Sequence, residues 1–132
     1  MNTNELRIGN LINYEACTYE IVGINALGSA ILNVKAVNHQ WGLEICGVNE
    51  VEGLEITKDF LKKNGFEILN RAMPEIWIKS LGGYKYLRYH LAVRYLEFET
   101  INSFQRVPWI VKYVHQMQNA CNDYGIKIDF KA

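Results

Sequence analysis

Histidine and cysteine are the side chains in this sequence best suited to bind a metal ion. His39 and Cys46 are seven residues apart in a predicted strand region, and Cys121 follows His115 by six residues in a predicted helix. Two ligands on one helix need a spacing of three or four residues to share a face. The sequence therefore predicts no metal site.

Paired carboxylates are a second arrangement with chemical potential. Glu97 and Glu99 project from the same face of a predicted strand, where a buried pair could take part in general acid–base catalysis. Their position beside the loop that leads to the last helix favours a solvent-exposed strand end instead. We therefore expect exposed carboxylates here and no catalytic residue.

The sequence contains no catalytic or nucleotide-binding motif. The pattern GxSxG, which would present a serine nucleophile, does not occur, and neither do the phosphate-binding patterns GxGxxG and GxxxxGK[ST]. The sequence thus predicts no cofactor and no enzymatic activity. A small enzyme with an unrecognised site is a third hypothesis, which requires a deep pocket that collects Glu97, His90 or His115.

Aromatic and basic residues are interleaved between positions 77 and 94 and form the first candidate interaction surface. Aromatic rings on a sheet can stack on bases while neighbouring cations hold phosphates, so the pattern is compatible with nucleic-acid binding. Ordinary cross-strand pairs are the simpler interpretation. The residues of this surface are Trp77, Lys79, Tyr84, Tyr86, Arg88, His90 and Arg94.

The second candidate surface is the polar side of the predicted C-terminal helix. His115, Gln118, Asn119 and Asn122 are related by steps of three and four residues, so they share one helix face. Side-chain amides on such a face could recognise the backbone of a partner or a polar ligand. A solvated helix face is the simpler interpretation.

Length and composition favour a folded chain with balanced charge. The chain has 132 residues, 49% of them hydrophobic, and its 14 Lys and Arg balance its 14 Asp and Glu. Zero net charge argues against a strongly basic nucleic-acid binder or a polybasic membrane module. Cys17, Cys46 and Cys121 are odd in number and lack a CxxC pair, so buried free thiols are expected. Without a signal peptide or a membrane-spanning apolar run, a cytoplasmic location is expected.

The elements that must position these residues indicate an α+β fold. Short β-rich segments with close turns over residues 5–52 predict a curved antiparallel sheet, with an SH3-like barrel as one form of it. Thr57 as N-cap and Gly65 as stop predict a short central helix. A single domain over 1–132 is expected, with a barrel-like part at 5–52 and a helix-meander-helix part at 53–132 as an optional subdivision.

An antiparallel meander is predicted to follow and to pack against a long C-terminal helix. Gly82-Gly83 is the clearest hairpin signal, and a bend near Ala92 should divide the next segment into two strands. Pro108 at the first helical position and Gly125 as the stop predict the helix. Residues 126–130 are predicted to form a last edge strand.

Several segments of the sequence resemble a family of small uncharacterised bacterial proteins from gut anaerobes and their prophages or other mobile elements. These segments are ELRIGNLI at 5–12, LEIT at 54–57, NGF at 64–66 and YVHQMQN at 113–119. The resemblance implies a bacterial or phage-related cytoplasmic protein with an accessory role, and it carries over no catalytic residue.

Three functions of different classes follow from these patterns. The favoured one is a non-enzymatic module that binds a protein partner or self-associates. The alternative is a nucleic-acid-binding protein that uses the aromatic and basic region 77–94. The third is the small enzyme described above.

Overall fold

The computed structural model of the chain describes residues 5–25, 31–37 and 43–132, without the side chains of Met73 and Pro74. Antiparallel β-structure with two helices predominates, which confirms the α+β prediction. The described strands are β1 (Leu11–Tyr14), β2 (Cys17–Asn25), β3 (Ile31–Ala36), β4 (Leu43–Gly47), β5 (Val51–Gly53), β6 (Glu67–Asn70), β7 (Met73–Gly82), β8 (Lys85–His90), β9 (Tyr95–Glu99) and β10 (Phe104–Arg106). The described α-helices are α1 (Lys58–Lys63) and α2 (Val114–Asp123), a short 3-10 helix covers Val48–Glu50, and no described helix is long and apolar enough to cross a membrane.

The described chain divides into two compact units, the second of which is inserted in the sequence of the first. The first unit comprises the described residues up to Glu55, together with Tyr113–Ile128 and Ala132, and so contains β1–β5 and α2. The second unit comprises Ile56–Lys112 and Asp129–Lys131, and contains α1 and β6–β10.

The first unit is built on a curved five-stranded antiparallel sheet in the order β4-β3-β2-β1-β5. A register shift between Ile21 and Gly23 marks a bulge on β2, a feature that increases the bend of a strand. The apolar core of this unit includes Ile12, Ile21, Leu32 and Val34, all without exposed surface. The curved N-terminal sheet is confirmed, while its closure into an SH3-like barrel stays a prediction.

The hairpin between β1 and β2 is closed by two residues, Glu15 and Ala16, with φ of 48° and 62°. Tyr14 and Cys17 are paired on either side of them. Two successive positive φ angles are typical of a type I′ turn, where asparagine and glycine fit best. A residue with a Cβ is strained in this conformation, so the turn stores strain that no sequence signal revealed.

Helix α2 belongs to the first unit and lies against β1. It begins at Val114 and not at Pro108 as predicted, because Gln116 Oε1 accepts a hydrogen bond from the Tyr113 backbone at 3.0 Å and so fixes the first turn. The predicted stop is confirmed: Gly125 has a φ of 73°. That the second sheet also packs against this helix stays a prediction.

The second unit contains the other five-stranded antiparallel sheet, in the order β10-β9-β8-β7-β6. Its β7–β8 hairpin was predicted at Gly82-Gly83, and the turn lies one residue further on, at Gly83 and Tyr84. Gly82 is still paired with Lys85. The turn is again of the type in which both central residues have positive φ, 57° and 61°.

The bend predicted near Ala92 is confirmed as a four-residue turn between β8 and β9. The Arg94 backbone N–H donates to the His90 carbonyl at 2.7 Å and closes the turn. Arg94 has a φ of 62°. An arginine in this conformation replaces the Gly or Asn that normally marks such a turn in a sequence.

The central helix α1 forms where its caps predict it. The Thr57 hydroxyl accepts a hydrogen bond from the Phe60 backbone at 3.2 Å, and Gly65 follows the helix with a φ of 82°. The Phe60 ring stacks on that of Phe130 at 5.9 Å.

The edge strand predicted over 126–130 does not form. The Asn64 side chain instead takes the backbone groups of Lys131, donating to its carbonyl at 2.8 Å and accepting from its N–H at 2.7 Å. The side-chain amide of Asn64 thus satisfies both backbone groups of Lys131, as a neighbouring strand would, but no β-strand forms there.

Candidate functional site

The aromatic and basic residues of β7 and β8 are divided between the two faces of the second sheet. Register pairs Trp77 with Tyr89 on one face, and this face is buried, since Trp77 is 2% exposed. Lys79 lies on the same face. Tyr86 and Arg88 are on the opposite face, so the single interleaved surface expected from the sequence does not form.

Most cations of that expected surface have acceptors within the second unit. Lys79 Nζ donates to the Asn64 carbonyl at 2.6 Å, and Arg94 Nη1 donates to the Ile56 carbonyl at 2.8 Å. Arg88 Nη2 lies 2.7 Å from Glu99 Oε2. Glu99 neutralises the charge of Arg88, while backbone carbonyls occupy donors of Lys79 and Arg94. These internal contacts compete with phosphate binding, so this arrangement weakens the nucleic-acid hypothesis.

The main polar feature of the second sheet is a cluster around Glu97, which we call the Glu97 cluster and which comprises His90, Tyr95, Glu97 and Arg106. Glu97 is only 2% exposed, and its Oε1 contacts His90 Nε2. Oε2 accepts from Arg106 at 3.0 Å (Nε) and 2.8 Å (Nη2). The Arg106 guanidinium lies 4.5 Å from the centre of the Tyr95 ring.

The prediction that Glu97 lies at a solvent-exposed strand end is wrong, because the carboxylate is buried in the Glu97 cluster. Glu97 and Glu99 do share a face, but β10 pairs with β9 and places Arg106 directly opposite Glu97. A buried carboxylate of this kind can hold the imidazole of His90 in one orientation and tautomer. His115, the other histidine considered for catalysis, belongs to the first unit.

Tyr84 is the most exposed member of the expected surface. It lies at the tip of the β7–β8 hairpin with 71% of its surface exposed and a φ of 61°. Aromatic residues are uncommon in this backbone region. The hairpin therefore presents an aromatic ring to solvent at a conformational cost.

The polar side of α2 recognises backbone, but the backbone belongs to this chain. Gln118 Oε1 accepts from the Leu11 N–H at 2.9 Å, and Gln118 Nε2 donates to the Gly9 carbonyl at 3.1 Å. Asn119 donates to the Glu5 carbonyl at 2.7 Å. These amides fix the segment before β1 onto α2, so they are structural contacts, and Asn122 remains exposed beside them.

A pocket of about 570 Å³ opens in the first unit beside His115. Three glutamates contribute to its wall. The pocket is lined by Glu5, Val51, Glu52, Gly53, Glu55, Tyr113 and His115. Glu55 and Tyr113 are held together by an isolated antiparallel bridge.

His115 is buried without a hydrogen bond on either ring nitrogen. Its Nε2 lies 3.7 Å from Glu5 Oε2, and its ring stacks on Tyr113 at 5.7 Å with an angle of 10° between the planes. Burial lowers the pKa of His115 below its ordinary value, although Glu5 acts in the opposite direction. The imidazole is therefore neutral near pH 7, and one of its nitrogens is an acceptor.

The outer edge of the first sheet carries exposed apolar residues. On β4, Leu43 is 74% exposed and Ile45 is 72% exposed. β4 pairs with β3, and no other described strand pairs with it. Ile31, on β3, is 40% exposed and lies diagonal to Ile45 on the same face.

All three cysteines are free thiols, but the prediction that all of them are buried is wrong for one. Cys46 and Cys121 are buried, whereas Cys17, directly after the Glu15-Ala16 turn, is exposed. Burial raises the pKa of the Cys121 thiol to about 12, so it stays protonated. His39 lies outside the described residues, and within them no three His, Cys, Asp or Glu side chains are grouped to hold a metal.

Comparison with known proteins adds no relative. No protein-family model, no curated protein and no solved structure matches the chain. The resemblance to small bacterial proteins of mobile elements therefore stays a prediction, and the function rests on the geometry of these sites.

Proposed function

We propose that this chain is a non-enzymatic interaction module that self-associates through the outer edge of β4. The observation that carries the proposal is the exposure of Leu43 and Ile45, 74% and 72%, on a strand that is paired on one side among the described strands. An unpaired strand edge presents N–H and C=O groups to a further strand.

The sequence of β4 lacks the usual protection of an edge. Proteins that remain monomeric tend to place lysine, proline or a bulge on such strands. The strand reads Leu-Glu-Ile-Cys-Gly, and Glu44 is its one charged residue. Its apolar side chains on the outer face therefore favour pairing with another copy.

A second copy fits this edge because an antiparallel pair can be two-fold symmetric. With the axis at Ile45, each Leu43 is opposite Gly47 of the other copy and each Glu44 is opposite Cys46. The two glutamates are therefore not directly opposite each other. Directly opposed like charges would destabilise the pair. Leu43 and Ile45 of both copies form one continuous apolar strip across the joined sheets.

The test is the oligomeric state in solution, measured by size-exclusion chromatography with light scattering over a wide range of concentrations. We expect a dimer for the unaltered chain and a monomer for Ile45→Lys, which places a charge on the paired edge. Ile101→Lys is the matched control, because Ile101 is 74% exposed in a loop of the second unit. A monomer at every concentration, or dissociation by Ile101→Lys alone, would overturn the proposal.

A further inference from the structure

The pocket beside His115 combines negative charge with an unsatisfied buried acceptor. Of its seven lining residues, three are glutamates, and none is lysine or arginine. The chain as a whole is neutral, with 14 residues of each sign. The negative charge is therefore a local property of this pocket, and it favours a cationic ligand.

Two of the glutamates are accessible to a ligand from solvent. The Glu5 side chain is 51% exposed, and Glu52 is an exposed residue of β5. Both contribute to the same pocket although they are distant in sequence. A carboxylate that is already close to water loses little by exchanging water for a charged donor.

His115 supplies the second, independent observation. A buried imidazole without a hydrogen bond is destabilising, because its lone pair and its N–H lose their water partners. Its Nε2 and the Glu5 Oε2 are 3.7 Å apart, too far for a hydrogen bond to each other. A donor nitrogen placed about 2.9 Å from each atom would bridge this gap.

Tyr113 gives the pocket an aromatic wall. Its ring stacks on His115, and it packs so closely on Gly53 that a Cβ there would lie 2.5 Å from Tyr113 Cδ1. The absence of a side chain at Gly53 therefore lets the ring take this position. The ring therefore contributes apolar surface to the wall of the pocket, against which the carbon chain of a ligand can pack.

We propose that this pocket binds a primary ammonium group, held by Glu5 and Glu52 and bridging Glu5 to His115. An ammonium carries three donors and no acceptor, which matches two carboxylates and one neutral imidazole nitrogen. The aliphatic chain of the amine lies along Tyr113 and Val51. A small aliphatic amine and the side chain of a lysine on a partner protein share this chemistry.

Calorimetric titration and amide chemical shifts test the proposal on the full chain. The probes are n-butylamine, 1,4-diaminobutane and Nα-acetyl-lysine methylamide, with n-butanol as the uncharged control. We expect the three amines to bind and to shift the amide signals of Gly53, Tyr113 and His115, and n-butanol to have no effect. A tighter diamine assigns the pocket to small amines, and a tighter lysine derivative assigns it to a protein lysine; both support the proposal.

Matched variants separate the pocket from general attraction by charge. Glu52→Gln and Glu5→Gln should each weaken amine binding about tenfold or more, since each removes one charge-assisted hydrogen bond. Glu20→Gln, an exposed glutamate on β2 outside the lining, should leave the affinity unchanged. All three positions are on the surface, so circular dichroism should show an unaltered fold. Absence of amine binding, equal binding of n-butanol, or equal effects of Glu52→Gln and Glu20→Gln would overturn the proposal.

Discussion

Arg106 donates two hydrogen bonds to one oxygen of the buried Glu97 carboxylate, from Nε at 3.0 Å and from Nη2 at 2.8 Å. The glutamate is almost without exposed surface, whereas half of the arginine side chain remains exposed. Such an asymmetric pair makes the buried partner dependent on the exposed one. Loss of Arg106 is costly because it removes both hydrogen bonds that Oε2 of the buried carboxylate accepts from the guanidinium.

Arg106→Ala is therefore expected to destabilise the chain by about 1–3 kcal/mol, the cost of leaving a buried charged group under-satisfied. The measurement is the free energy of unfolding in urea at neutral pH. Lys131→Ala is the control, because the side chains of the Lys131–Asp129 pair are 66% and 89% exposed and an exposed pair contributes less than about 1 kcal/mol. Equal losses in the two variants would contradict the role assigned to Glu97.

Ala16→Gly should stabilise the chain. Ala16 has a φ of 62° in the β1–β2 turn, and glycine adopts this conformation without the steric cost of a Cβ. We expect a gain of about 1 kcal/mol in the free energy of unfolding. The same change in a strand, Ala36→Gly on β3, should instead destabilise, by at least about 0.5–1 kcal/mol. The opposite signs of the two variants are the critical result, measured by thermal and urea unfolding.

Asn119→Ala should cost about 1–3 kcal/mol, because it leaves the Glu5 carbonyl and the Asn10 side chain without their partner on α2. Asn122→Ala, on the same helix face but exposed, should change stability by less than about 0.5 kcal/mol. Urea unfolding of both variants gives the comparison. Hydrogen exchange at residues 5–10 should accelerate in Asn119→Ala alone, and an unchanged rate there would contradict the structural role of the amide.

Stability should fall as pH decreases below about 6.5, the ordinary pKa of histidine. The folded state holds the pKa of His115 lower, so at mildly acidic pH the unfolded chain binds a proton that the folded chain does not. Protons then favour unfolding, with a slope of at most about 1.4 kcal/mol per pH unit for one group. His115→Gln should remove this dependence. The lowered pKa of Asp123, paired with Arg7, acts only below its ordinary value of 3.8, so the two effects are separable by pH.

Local signals predicted the elements whose ends are set by nearby residues. Thr57 and Gly65 delimit α1 because capping involves atoms only a few residues away. The bend near Ala92 and the hairpin after Gly82 were also found, the latter displaced by one residue. The Gly82-Gly83 pair indicated the hairpin, and the segment after it was too long for one strand, which required the bend.

The features that were missed depend on pairing between distant segments. Burial of Glu97 required β10, a three-residue strand with no strong signal of its own. Without β10, the sequence after Glu97 indicated only a loop, so the glutamate was expected at an exposed strand end. Likewise, the amides of Gln118 and Asn119 were identified as groups that recognise backbone. That the backbone is their own, more than a hundred residues earlier, cannot be read from local spacing.

The return of the chain to the first unit at Tyr113 has a consequence for synthesis on the ribosome. The sheet of that unit is translated before helix α2, which binds the segment that precedes β1. The hydrogen bond from Asn10 to Asn119 can therefore form only after 109 further residues have been translated. Meanwhile nearly all of the second unit has been translated. A ribosome that pauses before α2 would thus hold a chain whose first strands still lack their final contacts, and such incomplete chains expose apolar surface that chaperones bind.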